Sequence, residues 1–157
     1  MARTDFDFLF GDWNVRNRRL AVILAGSDDW YEFDATASAR PLWGGLGNTD
    51  EFVAPDTPVG PVLGGAVRLL DPKTGLWRIY WASAATGEIG APVVGGFEAE
   101  VGIFYGHEVY RDRGVFVRYT WDSIEADRCR WHQAFSADAG ASWETNWVME
   151  FSRRVPA

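Results

Sequence analysis

The stretch Phe6-Asp7-Phe8-Leu9-Phe10-Gly11-Asp12-Trp13-Asn14-Val15 decides how the chain is read. An aromatic run ends at a glycine, and a tryptophan then opens a long alternating segment. Phe6, Leu9 and Phe10 fall at helical spacing, which predicts one short helical turn over Thr4 to Phe10. Thr4 is its expected cap, with Asp5 and Asp7 near the positive end. From Trp13 to Leu24 the period drops to two. Trp13, Val15, Asn17 and Arg19 share one face, while Asn14, Arg16 and Arg18 share the other. Trp13 is expected to plug one end of a β-barrel and to set the inner face of every strand.

Downstream, short alternating segments repeat at even spacing. They cover 30–39, 48–53, 65–70, 76–83, 93–98, 102–106, 115–122, 129–136 and 143–153, separated by turn residues such as Asp71-Pro72-Lys73-Thr74-Gly75. A glycine-rich bend runs from Pro41 to Gly47, and a proline-rich loop from Pro55 to Pro61. The expectation is all-β: one antiparallel up-and-down barrel of about ten strands, spanning residues 1–157 as a single domain.

Composition narrows the function. The chain has 157 residues, 47% of them apolar and 24% charged, as in a soluble globular protein. Its net charge is −7 with scattered basic residues, which argues against nucleic acid or an anionic membrane as a partner. No signal-peptide pattern opens the sequence, and Cys129 has no second cysteine to pair with, so a cytoplasmic protein is expected. Nine tryptophans, ten phenylalanines and five tyrosines suit a pocket for flat apolar ligands. No spacing of His, Cys and Asp supplies a metal site.

Ser136-Ala137-Asp138-Ala139-Gly140-Ala141-Ser142-Trp143 matches the Asp-box pattern, in which Asp138 accepts backbone hydrogens across a turn and Trp143 packs beneath it. A single copy implies a stabilised hairpin, not a glycosidase. The Gly11-x-Trp13 motif after a short helical turn resembles the first motif of the lipocalins and wider calycin barrels. That resemblance implies a tryptophan across the barrel floor and an arginine near the end of the last strand packed over it; Arg153 is in phase for this role. The Phe-x-Phe-Leu-x-Gly-x-Trp opening and the Trp-Glu-Thr-Asn-Trp ending (Trp143 to Trp147) also resemble an uncharacterised family of small bacterial calycin-like proteins. Haem-binding barrels of the nitrobindin type resemble this fold too, but use a histidine late in the chain. The last strand has none, so no cofactor is expected and haem is disfavoured.

Phasing from Trp13 gives an interior. It holds Tyr31 and Phe33; Val67 and Leu69; Trp77, Ile79 and Trp81; Tyr119 and Trp121; Trp131 and Gln133; and Trp143, Thr145 and Trp147. Tyr119 is expected to face Trp131, and Gln133 to face Thr145. Glu144 and Asn146 point out. Either Asp50 or Glu51 points inward. The predicted ligand-binding set is Asn17, Arg19, Tyr31, Trp81, Tyr105, Tyr119, Trp121, Gln133 and Thr145. Arg19 is a candidate anchor for a carboxylate or enolate, or the partner of Asp50 or Glu51 in an internal salt bridge. The first functional expectation is a module holding a small, largely apolar or aromatic molecule, with an anionic end as an option. The second is a cofactor-independent cyclase, isomerase or lyase, with Asp50 or Glu51 as base and Arg19 or a tyrosine stabilising an enolate. The third is a structural barrel with a filled interior. A strand edge near Gly95-Gly96 allows a homodimer.

Overall fold

The computed structural model describes residues 2–155. Its strands are β1 (Gly11–Leu20), β2 (Trp30–Leu42), β3 (Gly47–Ala54), β4 (Val62–Leu70), β5 (Trp77–Ser83), β6 (Glu88–Ile89), β7 (Val93–Glu98), β8 (Val101–Tyr110), β9 (Arg113–Asp122), β10 (Arg128–Ser136) and β11 (Glu144–Arg153). Ten of them run antiparallel around a closed barrel in chain order, with β4 paired to β5 and β11 returning to β1. The two-residue β6 only extends β5, at Ala82 and Ser83. Closure leaves few backbone groups of the barrel strands unpaired. No helix among the described residues is long and apolar enough to cross a membrane.

The helical start is two 3₁₀ turns, Ala2–Thr4 and Asp7–Leu9. Thr4 closes the first, and Phe6 stands at the N-cap of the second. Phe10, in the β region, and Gly11, the first residue of β1, then deliver the chain into the strand; Gly11 has a φ of +113°, and a Cβ there would sit 2.6 Å from Arg153 Nη1. Trp13 is fully buried. Its Nε1 donates to Leu9 O at 2.8 Å, so the tryptophan ties the turn to the strand. Arg153 is its register partner on β11 and lies over its ring, 4.0 Å from the centroid. The guanidinium also donates to Phe10 O (2.7 Å), Phe8 O (3.1 Å) and Ala126 O (3.1 Å). Phe6 and Leu9 are buried beside this group and complete the closed end of the barrel.

The inner face of β1 and β2 follows the period from Trp13: Val15, Asn17, Phe33, Ala35, Ala37 and Ala39 are buried. Two expected phases and one expected strand edge are corrected. On β4, Ala66 and Arg68 are the buried residues, while Val67 and Leu69 are half-buried on the other face. The reason is electrostatic: Arg68 has a carboxylate to meet inside, from Asp50 on β3. On β11, a bulge shifts the register between Gln133 and Ala134, so Gln133 pairs with Trp147 and Ala134 with Thr145. Asn146 is the extra residue and turns inward, fully buried. Beyond it the strand is out of phase with the sequence pattern. Thr145 and Trp143 lie outside, and Glu144 turns in to accept Leu24 N–H at 2.6 Å. Tyr119 pairs with Gln133, not Trp131, although the rings of Tyr119 and Trp131 meet diagonally at 5.0 Å. The third correction concerns the expected edge on β7: Gly95 is paired on both sides, to Trp77 and to Phe104.

Candidate functional site: an aromatic cavity with a buried ion pair

Inside the barrel is a cavity of about 1030 Å³. Its room comes from small side chains, Ala37, Ala39 and Ala66, set opposite large ones. One wall is a continuous belt of edge-to-face rings. Trp81 meets Phe52 (5.9 Å), Phe52 meets Trp147 (6.4 Å), Trp147 meets Trp131 (5.6 Å) and Trp131 meets Tyr119 (5.0 Å). Such a wall offers ring faces and edges to a flat apolar guest. Leu9, Trp13 and Trp121 line the closed end. Glu88, Ile89, His107, Glu108 and Val109 line the open one, and all five are exposed.

Arg68 and Asp50 supply the charge at the closed end. Arg68 is 4% exposed, and its Nη2 donates to Asp50 Oδ2 at 2.6 Å. Its Nη1 donates to Asn48 Oδ1 at 2.9 Å. The guanidinium lies 5.2 Å from the Phe6 ring centroid and 5.9 Å from that of Trp121. Asp50 Oδ1 accepts Ala66 N–H at 3.0 Å, so both carboxylate oxygens are engaged. The backbones of β3 and β4 approach closely here: a Cβ on Gly65 would collide with Asp50 O. Arg68 was not foreseen as interior. The signal that points to it is the alternation Ala66-Arg68 opposite Trp81-Ile79 on β5.

Of the predicted ligand-binding residues, Arg19, Trp81, Tyr119, Trp121 and Gln133 line the cavity. Arg19 sits towards the mouth with its guanidinium 4.1 Å from the Trp147 ring centroid, and makes no ion pair with Asp50 or Glu51. Asn17 stands behind the wall, fully buried, and accepts Trp147 Nε1–H at 3.0 Å. Tyr31 stacks on Phe33 at 6.0 Å and is not part of the lining. Tyr105 is 52% exposed on the outer face, against Trp143, and Thr145 also lies outside. Tyr105 is outward because Gly102, Phe104 and Gly106 take the inner positions of β8, where a Cβ on either glycine would clash with Phe97 or Val93. The choice between the two candidate carboxylates falls on Asp50: Glu51 is exposed on the outer face of β3.

Gln133 donates to Asn146 Oδ1 at 2.8 Å, which holds its carboxamide against the bulge. Burial raises the Tyr119 phenol well above its ordinary range, and the Glu108 charge adds to this, so the tyrosine stays a neutral hydroxyl. Burial in the mouth also raises the Glu108 carboxyl, although part of that side chain remains exposed; Arg19 pulls the other way. Among the described residues, no group of three His, Cys, Asp or Glu side chains could hold a metal ion. The Asp-box turn lies outside the cavity. Asp138 accepts Ser142 N–H (2.8 Å) and Ser142 Oγ–H (2.5 Å), and Trp143 packs between Tyr105 and Arg118.

No family model and no curated protein matches the chain. Solved structures do resemble it. The S-type phycobiliprotein lyase CPES from Guillardia theta superimposes with a TM-score of 0.66 at 9% identity, over 97% of this chain and 92% of the lyase. A redesigned β-barrel gives 0.53 at 9% identity, over 99% and 98% of the two chains. A fluorescence-activating β-barrel designed de novo gives 0.50 at 15% identity, over 98% and 100%. At these identities the likeness is one of fold: an antiparallel calycin-like barrel.

Proposed function

We propose that this barrel binds a small, flat, largely apolar or aromatic molecule inside its cavity. The observation that carries the proposal is the aromatic belt around about 1030 Å³ of space, open at one end. That volume lies at the top of the roughly 300–1,000 Å³ range of small-molecule sites. A barrel needed only as scaffold would fill its interior, and alanines at positions 37, 39 and 66 leave it unfilled. The likeness to a phycobiliprotein lyase and to a fluorescence-activating barrel is in keeping with a small-molecule partner. Arg19 at the mouth is suited to meet an anionic end of such a ligand.

The reading as a cofactor-independent cyclase, isomerase or lyase needs a carboxylate base in the cavity. Asp50 is there, but Ala66 N–H and Arg68 occupy both of its oxygens, so it is better suited to hold Arg68 than to abstract a proton.

Titration with N-phenyl-1-naphthylamine, a neutral flat fluorophore, tests the proposal. The expected result is a saturable rise in dye emission at one dye per chain, with quenching of tryptophan emission. Ala66→Phe places a ring beside Trp81 and should remove binding while the far-UV circular dichroism is kept. No binding by the wild type, or equal binding by Ala66→Phe, would overturn it.

A further inference from the structure

The buried polar cluster at the closed end has more donors than acceptors. Arg68 carries five N–H groups and Asn48 two, against Asn48 Oδ1 and the two oxygens of Asp50, one of which already serves Ala66. In keeping with this count, Arg68 Nε and Asn48 Nδ2 are buried with no hydrogen-bond partner, and of the two residues Arg68 is the one that lines the cavity. Buried donors without partners are costly, and a cluster that tolerates two of them is short of an acceptor. The charge, in contrast, is already balanced: the Arg68 cation and the Asp50 carboxylate are 2.6 Å apart. A second anion at this place would face Asp50 with no spare cation to meet it.

From these two facts we infer that the closed end is a specificity subsite for a neutral hydrogen-bond acceptor, and that Asp50 is the residue that makes it neutral. The ligand therefore enters with a carbonyl-type oxygen leading, as in a ketone, quinone or lactam, towards Arg68, which lines the cavity, and its flat apolar body lies along the aromatic belt. Asp50 is a positioning residue: it fixes the guanidinium and cancels its charge. This inference rests on the proposed binding function and adds the class of ligand.

Three probes of one shape test it: 1-ethylpyrene, 1-acetylpyrene and 1-pyrenecarboxylate. Their affinities are measured by quenching of tryptophan emission. The wild type should bind 1-acetylpyrene about tenfold more tightly than 1-ethylpyrene, the effect of one hydrogen bond to a buried cation. Arg68→Met should remove that preference and keep the affinity for 1-ethylpyrene. Asp50→Asn leaves the cation unbalanced and should raise the affinity for 1-pyrenecarboxylate at least tenfold. This last arm is run in an Arg19→Ala background so that the mouth cation does not compete. Because Asp50→Asn breaks a buried pair, the double variant Asp50→Leu/Arg68→Met, which removes both charges together, serves as the folded control; it should treat all three probes as apolar bodies. Binding of 1-ethylpyrene with no gain from the carbonyl would overturn the inference while leaving the binding function intact. Failure of all three probes would overturn the binding function itself. A carbonyl preference that survives Arg68→Met, or a carboxylate affinity that Asp50→Asn leaves unchanged, would also overturn the inference.

Discussion

Replacing Arg153 by Met removes the guanidinium from the closed end and keeps most of the apolar stem. Two part-buried hydrogen bonds are lost, to Phe10 O and Phe8 O, at about 1 kcal/mol each after allowance for partial exposure. The bond to Ala126 O is exposed and adds a few tenths at roughly the low end of the scale. The cation over the Trp13 ring at 4.0 Å adds about 1 kcal/mol. The sum is about 3 kcal/mol, or a fall of about 6–12 °C in Tm for a chain of this size. Urea unfolding followed by far-UV circular dichroism measures it. Arg153→Lys should fall between, since a point charge stays over the ring but cannot span the two carbonyls. A double-mutant cycle with Trp13→Leu should give a coupling of about 1 kcal/mol. If Arg153→Met costs less than about 1 kcal/mol, or if lysine restores full stability, the plug does not work through this fork.

Asn17→Leu should destabilise by about 1–3 kcal/mol, because Trp147 Nε1 loses its buried acceptor, and urea midpoints will read the loss. Asp138 is held down to about 2 by the Ser142 hydroxyl, the Ser142 amide and the Ser136 hydroxyl. The stability it adds is therefore full above a pH of about 4 and drains away as the pH falls towards 2. Asp138→Asn should flatten that acid-side slope in midpoints taken at low pH. Burial pushes the Cys129 thiol up to about 12, so iodoacetamide at mild alkaline pH should label it only in urea, in step with unfolding.

The sequence carried the barrel because most of its strands advertise one buried face. Trp13, Val15 and Asn17 alternate with charged or polar residues, and Phe33 to Ala39 do the same, so two strands set a reliable phase. The errors arose where the inner face is not the apolar one. In β4 the charged Arg68 goes in and Val67 goes out, because burial of an arginine depends on a carboxylate eighteen residues away on another strand, at Asp50. In β8 the inner face holds glycines, and the larger Tyr105 stands outside on Trp143. In β11 the pattern of alternate residues is unbroken, yet the bulge at Asn146 reverses it; no property of that residue alone announces an extra position against Gln133 and Ala134. The candidate site was legible as an aromatic interior with Arg19 facing it. Of its polar end an inward carboxylate, Asp50 or Glu51, was legible; the cluster that carboxylate forms with Asn48 and Arg68 was not, since it exists only once β3 and β4 pair.

The seam between β1 and β11 bears on how fast the ring opens. Every other seam of the barrel joins strands that follow one another in chain order, whereas Asn17 and Trp147 are 130 residues apart. Local hairpins meet a small loop-closure entropy and form early; the pairing that joins the two ends of the chain meets the largest and forms last. Contacts made after the rate-limiting step hold the folded state without speeding its arrival. Weakening that seam should thus leave the refolding rate almost unchanged and shorten the lifetime of the native barrel, which makes the Trp13–Arg153 contact a determinant of persistence as well as of equilibrium stability.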